Sequence, residues 1–205
     1  MKKSTMEHAV HNNQARTHLP PPRRRVFMQQ SLAERIGGVL WRLVRRTIFR
    51  WSPPAWNGWR RLLLRIAGAN VGPRACIHPS AIIDFPWRIT IGAGCHVAHK
   101  VIVNAIGNVA IGDDVRISQY AHLCAGTHDH RNPQMPIVPR PIVIGERVWI
   151  AADAFVGPGA TIGAGSLLAA RSSAMGALPA GMVCIGEPAV AVHQRNAIDH
   201  GTTGA

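Results

Sequence analysis

An aliphatic residue recurs every six positions through the second half of the chain: Ile144, Ile150, Val156, Ile162 and Leu168. Helical packing repeats at three and four, and a half-buried strand at two. A strict period of six fits neither. It fits three short strands per turn of a triangular solenoid, with 18 residues in each coil. Ile144 is then expected to stack on Ile162, and Ile150 on Leu168. The same pattern opens earlier, at Val71 and Ile77, Ile91 and Val97, then Ile111, Ile117 and Leu123. Glycine often follows the aliphatic residue, as in Ile111-Gly112, Ile144-Gly145 and Ile162-Gly163. The expectation is that these glycines adopt corner conformations costly to other residues.

The register is interrupted in places. Val71 to Ile91 and Ile91 to Ile111 are steps of 20, so each of these coils carries two extra residues. From Leu123 to Ile144 the step is 21, read as one coil and three residues more. That last interval holds Thr127-His-Asp-His-Arg-Asn-Pro133 and a proline-rich stretch to Pro141. It is the most polar part of the repeat region. A solenoid tolerates insertions as loops extruded from its corners, and function gathers there.

Composition suits many short strands and tight turns. Of 205 residues, 47% are apolar, 20 are Gly and 15 are Pro. The formal net charge of +13 is unevenly placed, with most Lys and Arg before position 66. It therefore describes the N-terminal segment, and no recognition motif accompanies it that would indicate a nucleic-acid partner. The cysteines Cys76, Cys95, Cys124 and Cys184 are scattered without a C-x-x-C pair, so reduced thiols in a cytoplasmic protein are expected. No signal peptide or membrane span is expected.

Residues 1–30 are expected to be a disordered basic tail. Residues 31–68 form a helical segment. Ser31 and Glu34 make a capping box, and Leu32, Ile36, Val39, Leu40, Leu43 and Ile48 recur at helical spacing before Pro53 and Pro54. A second helix spans Trp59 to Ile66. Two readings of this basic segment stand open. It caps the end of the core with its arginines solvated, or residues 31–66 lie peripherally on an anionic membrane, at the inner face of a bacterial cytoplasmic membrane. The β-helix is expected over 69–192, with an extruded loop at 127–141 and a flexible tail at 193–205.

The stretch Cys124-Ala-Gly-Thr-His-Asp-His130 closely resembles the active-site stretch of hexapeptide-repeat acetyltransferases that modify sugars. Pro141-Ile-Val-Ile-Gly-Glu-Arg-Val-Trp-Ile150 and its continuation to Gly163 are similar to the same family, as are Gly58-Trp-Arg-Arg-Leu-Leu-Leu-Arg65 and Pro86-Trp-Arg-Ile-Thr-Ile-Gly92. The likeness is especially to the WcaF-like branch of colanic acid and exopolysaccharide biosynthesis. The resemblance covers about residues 30–192. It implies a mainly β fold, a left-handed parallel β-helix preceded by amphipathic helices, and a homotrimer whose active sites lie between neighbouring prisms. It implies acetyl-CoA as co-substrate, a sugar or lipid-linked saccharide as acceptor, and no metal.

By the same resemblance His128 is the general base. A sugar hydroxyl attacks a thioester poorly while protonated, and an imidazole can take its proton during attack. The opposite ring nitrogen needs a partner to fix the tautomer. His130 and Asn104 are candidates for touching the acceptor, with His99 a further one. Trp149 flanks the meeting point of acetyl-CoA and acceptor. Ala152 and Ala170 match positions whose backbone contacts the pantetheine arm. Cys124 is expected to be a small buried side chain rather than a nucleophile. The sequence departs from the family where basic residues pair with the CoA phosphates: Met175-Gly176 and Glu187-Pro-Ala-Val-Ala191 replace them. Arg171 or Arg195 is the candidate substitute.

Two other functions fit the prism. A zinc lyase like the γ-class carbonic anhydrases would need three histidines converging across a subunit interface, drawn from His96, His99, His122, His128 and His130. A non-catalytic or cofactor-altered scaffold is motivated by Met175-Gly176 and Glu187.

Overall fold

A computed structural model describes residues 31–195. Twenty short strands follow two helices. Helix α1 (Leu32–Val44) runs on into a π-helical turn (Arg45–Phe49), and helix α2 (Asn57–Ile66) leads into the first strand. The capping box forms as expected. Ser31 Oγ accepts from the Glu34 amide, and the Glu34 carboxylate accepts from the Ser31 amide at 3.0 Å.

The strands wind into a β-solenoid with three parallel faces. The first face stacks β1 (Asn70–Val71), β4 (Ile89–Ile91), β7 (Val109–Ile111), β12 (Ile142–Ile144), β15 (Thr161–Ile162) and β18 (Ala177–Leu178). The second stacks β2 (Cys76–Ile77), β5 (His96–Val97), β8 (Arg116–Ile117), β13 (Trp149–Ile150), β16 (Leu167–Leu168) and β19 (Met182–Gly186), then β20 (Ala189–Gln194). The third stacks β3 (Ile82–Asp84), β6 (Ile102–Asn104), β9 (His122–Cys124), β14 (Phe155–Val156) and β17 (Ser173–Ala174). Ile144 pairs with Ile162 and Ile150 with Leu168, as the period of six requires. These aliphatics point inward and are almost wholly buried, forming one continuous core.

The glycines after the aliphatic residues have a different cause from the one expected. None of Gly92, Gly112, Gly145 and Gly163 adopts a positive φ. A Cβ on Gly112 would lie 2.7 Å from the Glu146 amide nitrogen, and one on Gly145 2.6 Å from that of Ala164. Close approach of the next coil excludes the side chain. The left-handed conformation falls two positions later along that edge, at Arg74, Gly94, Asp114, Arg147 and Gly165.

All three irregularities occur at one edge, where the third face turns into the first. The two extra residues of the early coils form the turns around the 3₁₀ segment Pro86–Arg88 and around Gly107. The third is larger than the expected three residues. Ile144 pairs with Ile111, a step of 33, so the excess over a plain coil is fifteen. It is extruded as an antiparallel hairpin, β10 (Gly126–His128) with β11 (Ile137–Pro139). Strand β20 continues to Gln194, two residues beyond the expected end of the β-helix. The tails expected at 1–30 and over 196–205 lie outside the described residues.

Unpaired backbone groups explain the helical segment. Bonds run both ways between coils: Gly72 donates to Ile91 of the next coil, and Gly94 donates back to Pro73. The first coil therefore presents amides and carbonyls with no strand to pair them, and Asn57 Oδ1 accepts from the Ile77 amide at 3.2 Å. Side chains of the helices supply donors on all three faces. Arg65 Nε bonds the Val71 carbonyl at 2.9 Å, Arg60 Nε the Ile77 carbonyl at 2.5 Å, and Trp41 Nε1 the Ile83 carbonyl at 2.7 Å. Arg61 adds a bond to Ala75 at 2.9 Å. Arg60 is fully buried, and its remaining nitrogens reach Ser52, Pro53, Pro54 and Asn57. The capping reading holds for α2, but with its arginines engaged rather than solvated. Among the described residues no helix is long and apolar enough to cross a membrane.

Candidate active site

The hairpin β10–β11 carries His128 away from the core, at the edge between the third and first faces. Its origin is tightly constrained. A Cβ on Gly126 would stand 2.7 Å from the Ile106 side chain, so glycine alone lets the strand leave at this point. His128 pairs across the hairpin with Ile137. Its Nδ1 lies 2.6 Å from the Met135 carbonyl oxygen. That oxygen can only accept, so in the neutral ring Nδ1 carries the proton and Nε2 the lone pair. Met135 has a φ of +45°, a left-handed conformation that turns the loop back on the ring. This is the tautomer-fixing partner that no sequence motif identified, because it is a backbone atom seven residues away.

The other candidates divide between two places. His130 is exposed on the same hairpin as His128. Asn104 ends β6 on the third face, in register with Asp84 and Cys124. It is half-buried and makes no hydrogen bond to His128. Trp149 stands on β13, at the edge between the second and third faces, and its Nε1 donates to Ser118 Oγ at 2.9 Å. Ala152, Ala170 and Arg171 follow on that same edge, where the Arg171 amide donates to the Ala152 carbonyl at 3.1 Å. Arg171 is exposed and lies 3.5 Å from Asp153. Within one chain, then, His128 and Trp149 occupy different edges of the prism.

Arg195 is anchored to the prism through one guanidinium nitrogen, Nη1. Its guanidinium donates to the carbonyls of Arg147, Gly165 and Ser166, each at 3.1 Å. Cys124 is half-buried, its thiol 3.4 Å from the Gly126 carbonyl, and all four cysteines are unpaired. Burial pushes the Cys95 and Cys184 thiols upward from their ordinary pKa. Among the described residues His96, His99, His122, His128 and His130 are not gathered into a metal-ligand set within the chain.

The Trp149 edge continues towards the helices as a cleft of about 540 Å³. Its charged lining is Arg45, Arg46, Arg50 and Lys100 with one carboxylate, Asp153, and Ser80 and Tyr120 line it too. Ser80 Oγ lies 2.7 Å from His78 Nδ1 and 3.0 Å from His99 Nδ1. Burial, followed by the positive field of His99 and the nearby arginines, pulls the His78 pKa down. From the sequence His99 has a weak claim to the acceptor. The arginines were missed, because the π-helical turn after α1 and the residue that follows it bring them in from far upstream.

No family model matches the chain. Individual relatives do. The chain is 46% identical over 156 residues to the colanic acid biosynthesis acetyltransferase WcaF of Escherichia coli, covering 76% of this chain and 86% of that protein. It is 28% identical to the galactoside O-acetyltransferase of Escherichia coli, over 72% of this chain and 74% of that one. Among solved structures, a hexapeptide-repeat acetyltransferase of Vibrio cholerae complexed with acetyl-CoA superposes with a TM-score of 0.70. That match has 25% identity and spans 80% of this chain and 88% of the other.

Proposed function

This chain belongs to the hexapeptide-repeat acetyltransferases, in their WcaF-like branch, and we propose on that footing that it moves acetyl from acetyl-CoA to a sugar hydroxyl in exopolysaccharide biosynthesis. The protein is an acetyltransferase, and a family neighbour carries acetyl-CoA.

His128 serves as general base. Its Nδ1–H is held by the Met135 carbonyl, which leaves Nε2 free to take the acceptor proton. The hydroxyl oxygen bonds to the thioester carbonyl carbon as the proton passes to Nε2. The C–S bond then breaks, and the imidazolium returns the proton to the departing CoA sulfur. No acyl-enzyme is needed, so Cys124 has no covalent role.

The site is completed between copies in a homotrimer. The observation behind this is the division of residues already described: the base stands on one edge, while Trp149, Ala152, Ala170 and Arg171 stand on another. A neighbouring prism bringing its His128 hairpin against the Trp149 edge would unite them. Ala152 and Ala170 then offer small side chains and backbone groups to the pantetheine arm, and Arg171 a charge to the CoA phosphates. The acceptor approaches through the basic cleft on that same edge. His130 and Asn104, on the incoming prism, face it from the other side.

The test is release of CoA thiol from acetyl-CoA with a panel of sugars, comparing wild type with His128→Ala. Equal rates would overturn the assignment of the base. Turnover that persists in a stably monomeric variant would overturn the shared site.

A further inference from the structure

Helix α1 is amphipathic, but it is mounted with its apolar stripe facing outward. Leu32, Ile36, Val39, Leu40 and Leu43 follow the spacing of one helical face. All are exposed, Leu32 at 71% and Leu43 at 63%. The face turned towards the prism holds Glu34, Gly37, Gly38 and Trp41. The two glycines let the helix lie against the Trp87 ring, where a Cβ on Gly37 would meet it at 3.7 Å. Glu34 is tied to Arg88 at 2.6 Å, and buried Trp41 to the Ile83 carbonyl. The orientation is thus set by specific bonds on the polar and small face, and the apolar stripe covers none of the core.

The surroundings of the stripe point to one class of partner. Arg35, Arg42 and Arg46 are exposed along its flank. Beyond the helix, Trp51 is 84% exposed and Trp56 57%, with Ile66 at 75% close by in sequence. Glu34 is the only acidic residue between positions 31 and 66, and it points inward. An aliphatic stripe flanked by exposed arginines, with exposed indoles following it in the chain, matches the chemistry of the boundary of an anionic bilayer. Acyl chains take the stripe, lipid phosphates the arginines and the interfacial zone the indoles. A second copy docked on this face about a two-fold axis would press the same arginines together without an acidic partner.

We propose that the outward stripe of α1, with its arginines and exposed tryptophans, seats the protein on an anionic phospholipid surface, the helix lying in the plane of the interface. This goes beyond the acetyl-transfer reading and does not depend on it. The known length and polarity of the helices exclude a span and fit a surface-lying element.

The test is flotation of the full chain with vesicles of phosphatidylcholine alone, and of phosphatidylcholine with about one-third phosphatidylglycerol. Wild type is expected to float with the anionic vesicles and far less with the neutral ones. Leu40→Asp combined with Leu43→Asp is expected to lower the bound fraction about tenfold or more, with far-UV circular dichroism and thiol release from acetyl-CoA unchanged. All basic residues remain in that variant, so the loss isolates the stripe. Failure of wild type to float with either vesicle would overturn the proposal, as would equal flotation of the variant. Sedimentation without lipid supplies the remaining outcome: a smaller assembly mass for the variant would assign the face to a second copy and overturn it too.

Discussion

The imidazole of His128 and the carbonyl of Met135, seven residues apart in sequence, meet at 2.6 Å across the extruded hairpin. The bond orients the ring and selects the tautomer whose outward nitrogen can accept a proton. Two substitutions separate these roles. His128→Ala is expected to lower kcat by roughly 10²- to 10⁴-fold, the usual contribution of a general base. Met135→Pro cannot hold a φ of +45° and is expected to turn the carbonyl away. That should cost about tenfold in kcat with little change in KM for acetyl-CoA. Steady-state kinetics of thiol release checks both.

Arg60 is the most heavily bonded side chain of the cap. Arg60→Leu would leave the buried Ile77 carbonyl without this donor, and would remove bonds to the part-buried carbonyls of Pro53 and Pro54. An unpaired buried acceptor costs about 1–3 kcal/mol, and a loss of that size is expected. Chemical denaturation measures it. Arg35→Leu, on the exposed flank of α1, should change stability by less than about 0.5 kcal/mol.

The stacked glycines should tolerate no side chain. Gly145→Ala places a Cβ against the backbone of the next coil and is expected to destabilise by about 1–3 kcal/mol. Arg74→Gly acts in the opposite direction. Arg74 holds a φ of +56° without needing its side chain for the fold, and relief of that conformation is worth up to roughly 1 kcal/mol. Melting temperatures of the two variants should move to opposite sides of wild type.

Docking of α1 should weaken in acid. The hydrogen bond from Arg88, then that from the Ser31 amide, hold the Glu34 carboxyl below its ordinary pKa of 4.5. A depressed carboxylate stabilises the folded form fully above that ordinary value. The contribution disappears as pH falls below 4.5 and through the lower folded value. Tryptophan fluorescence, to which Trp41 and Trp87 contribute, should show the helix loosening in that window. Glu34→Gln should abolish the pH dependence of the step.

His122 should shape a separate, milder window. Burial lowers its pKa from 6.5, and its Nε2 is buried without a hydrogen-bond partner. The unfolded chain therefore takes up a proton near pH 6.5 that the folded chain refuses. Stability is complete above that pH and declines as pH falls towards the folded value. His122→Met is expected to flatten this decline, leaving that from His78, and to raise stability at pH 5.5. Urea midpoints as a function of pH check it.

The coil register was fully legible, because inward aliphatics such as Ile144 and Ile162 must stack and nothing else produces a period of six. The size of the extruded segment was less so. Counting from Leu123 measures a step between two different faces, whereas Ile111 is the strand partner that sets the true excess. For α1 the spacing of Leu32, Ile36, Val39, Leu40 and Leu43 established a helix with an apolar stripe. It could not say which face meets the protein. That is decided by Gly37, Gly38 and Trp41, whose partners Trp87 and Ile83 lie more than 40 residues downstream. The motif around His128 identified the candidate base, while the atom that orients it belongs to a backbone and leaves no trace in residue type.

The two ends of the prism carry a consequence for behaviour in concentrated solution. Stacked parallel strands in register can in principle extend without limit, one molecule's last coil serving as template for another's first. Here the leading carbonyls are already occupied by Arg60, Arg65 and Trp41, and at the far end β20 folds back antiparallel along β19. The repeat is thereby given a fixed length, and a chain stripped of α1 and α2 would regain an adhesive edge and a route to fibres.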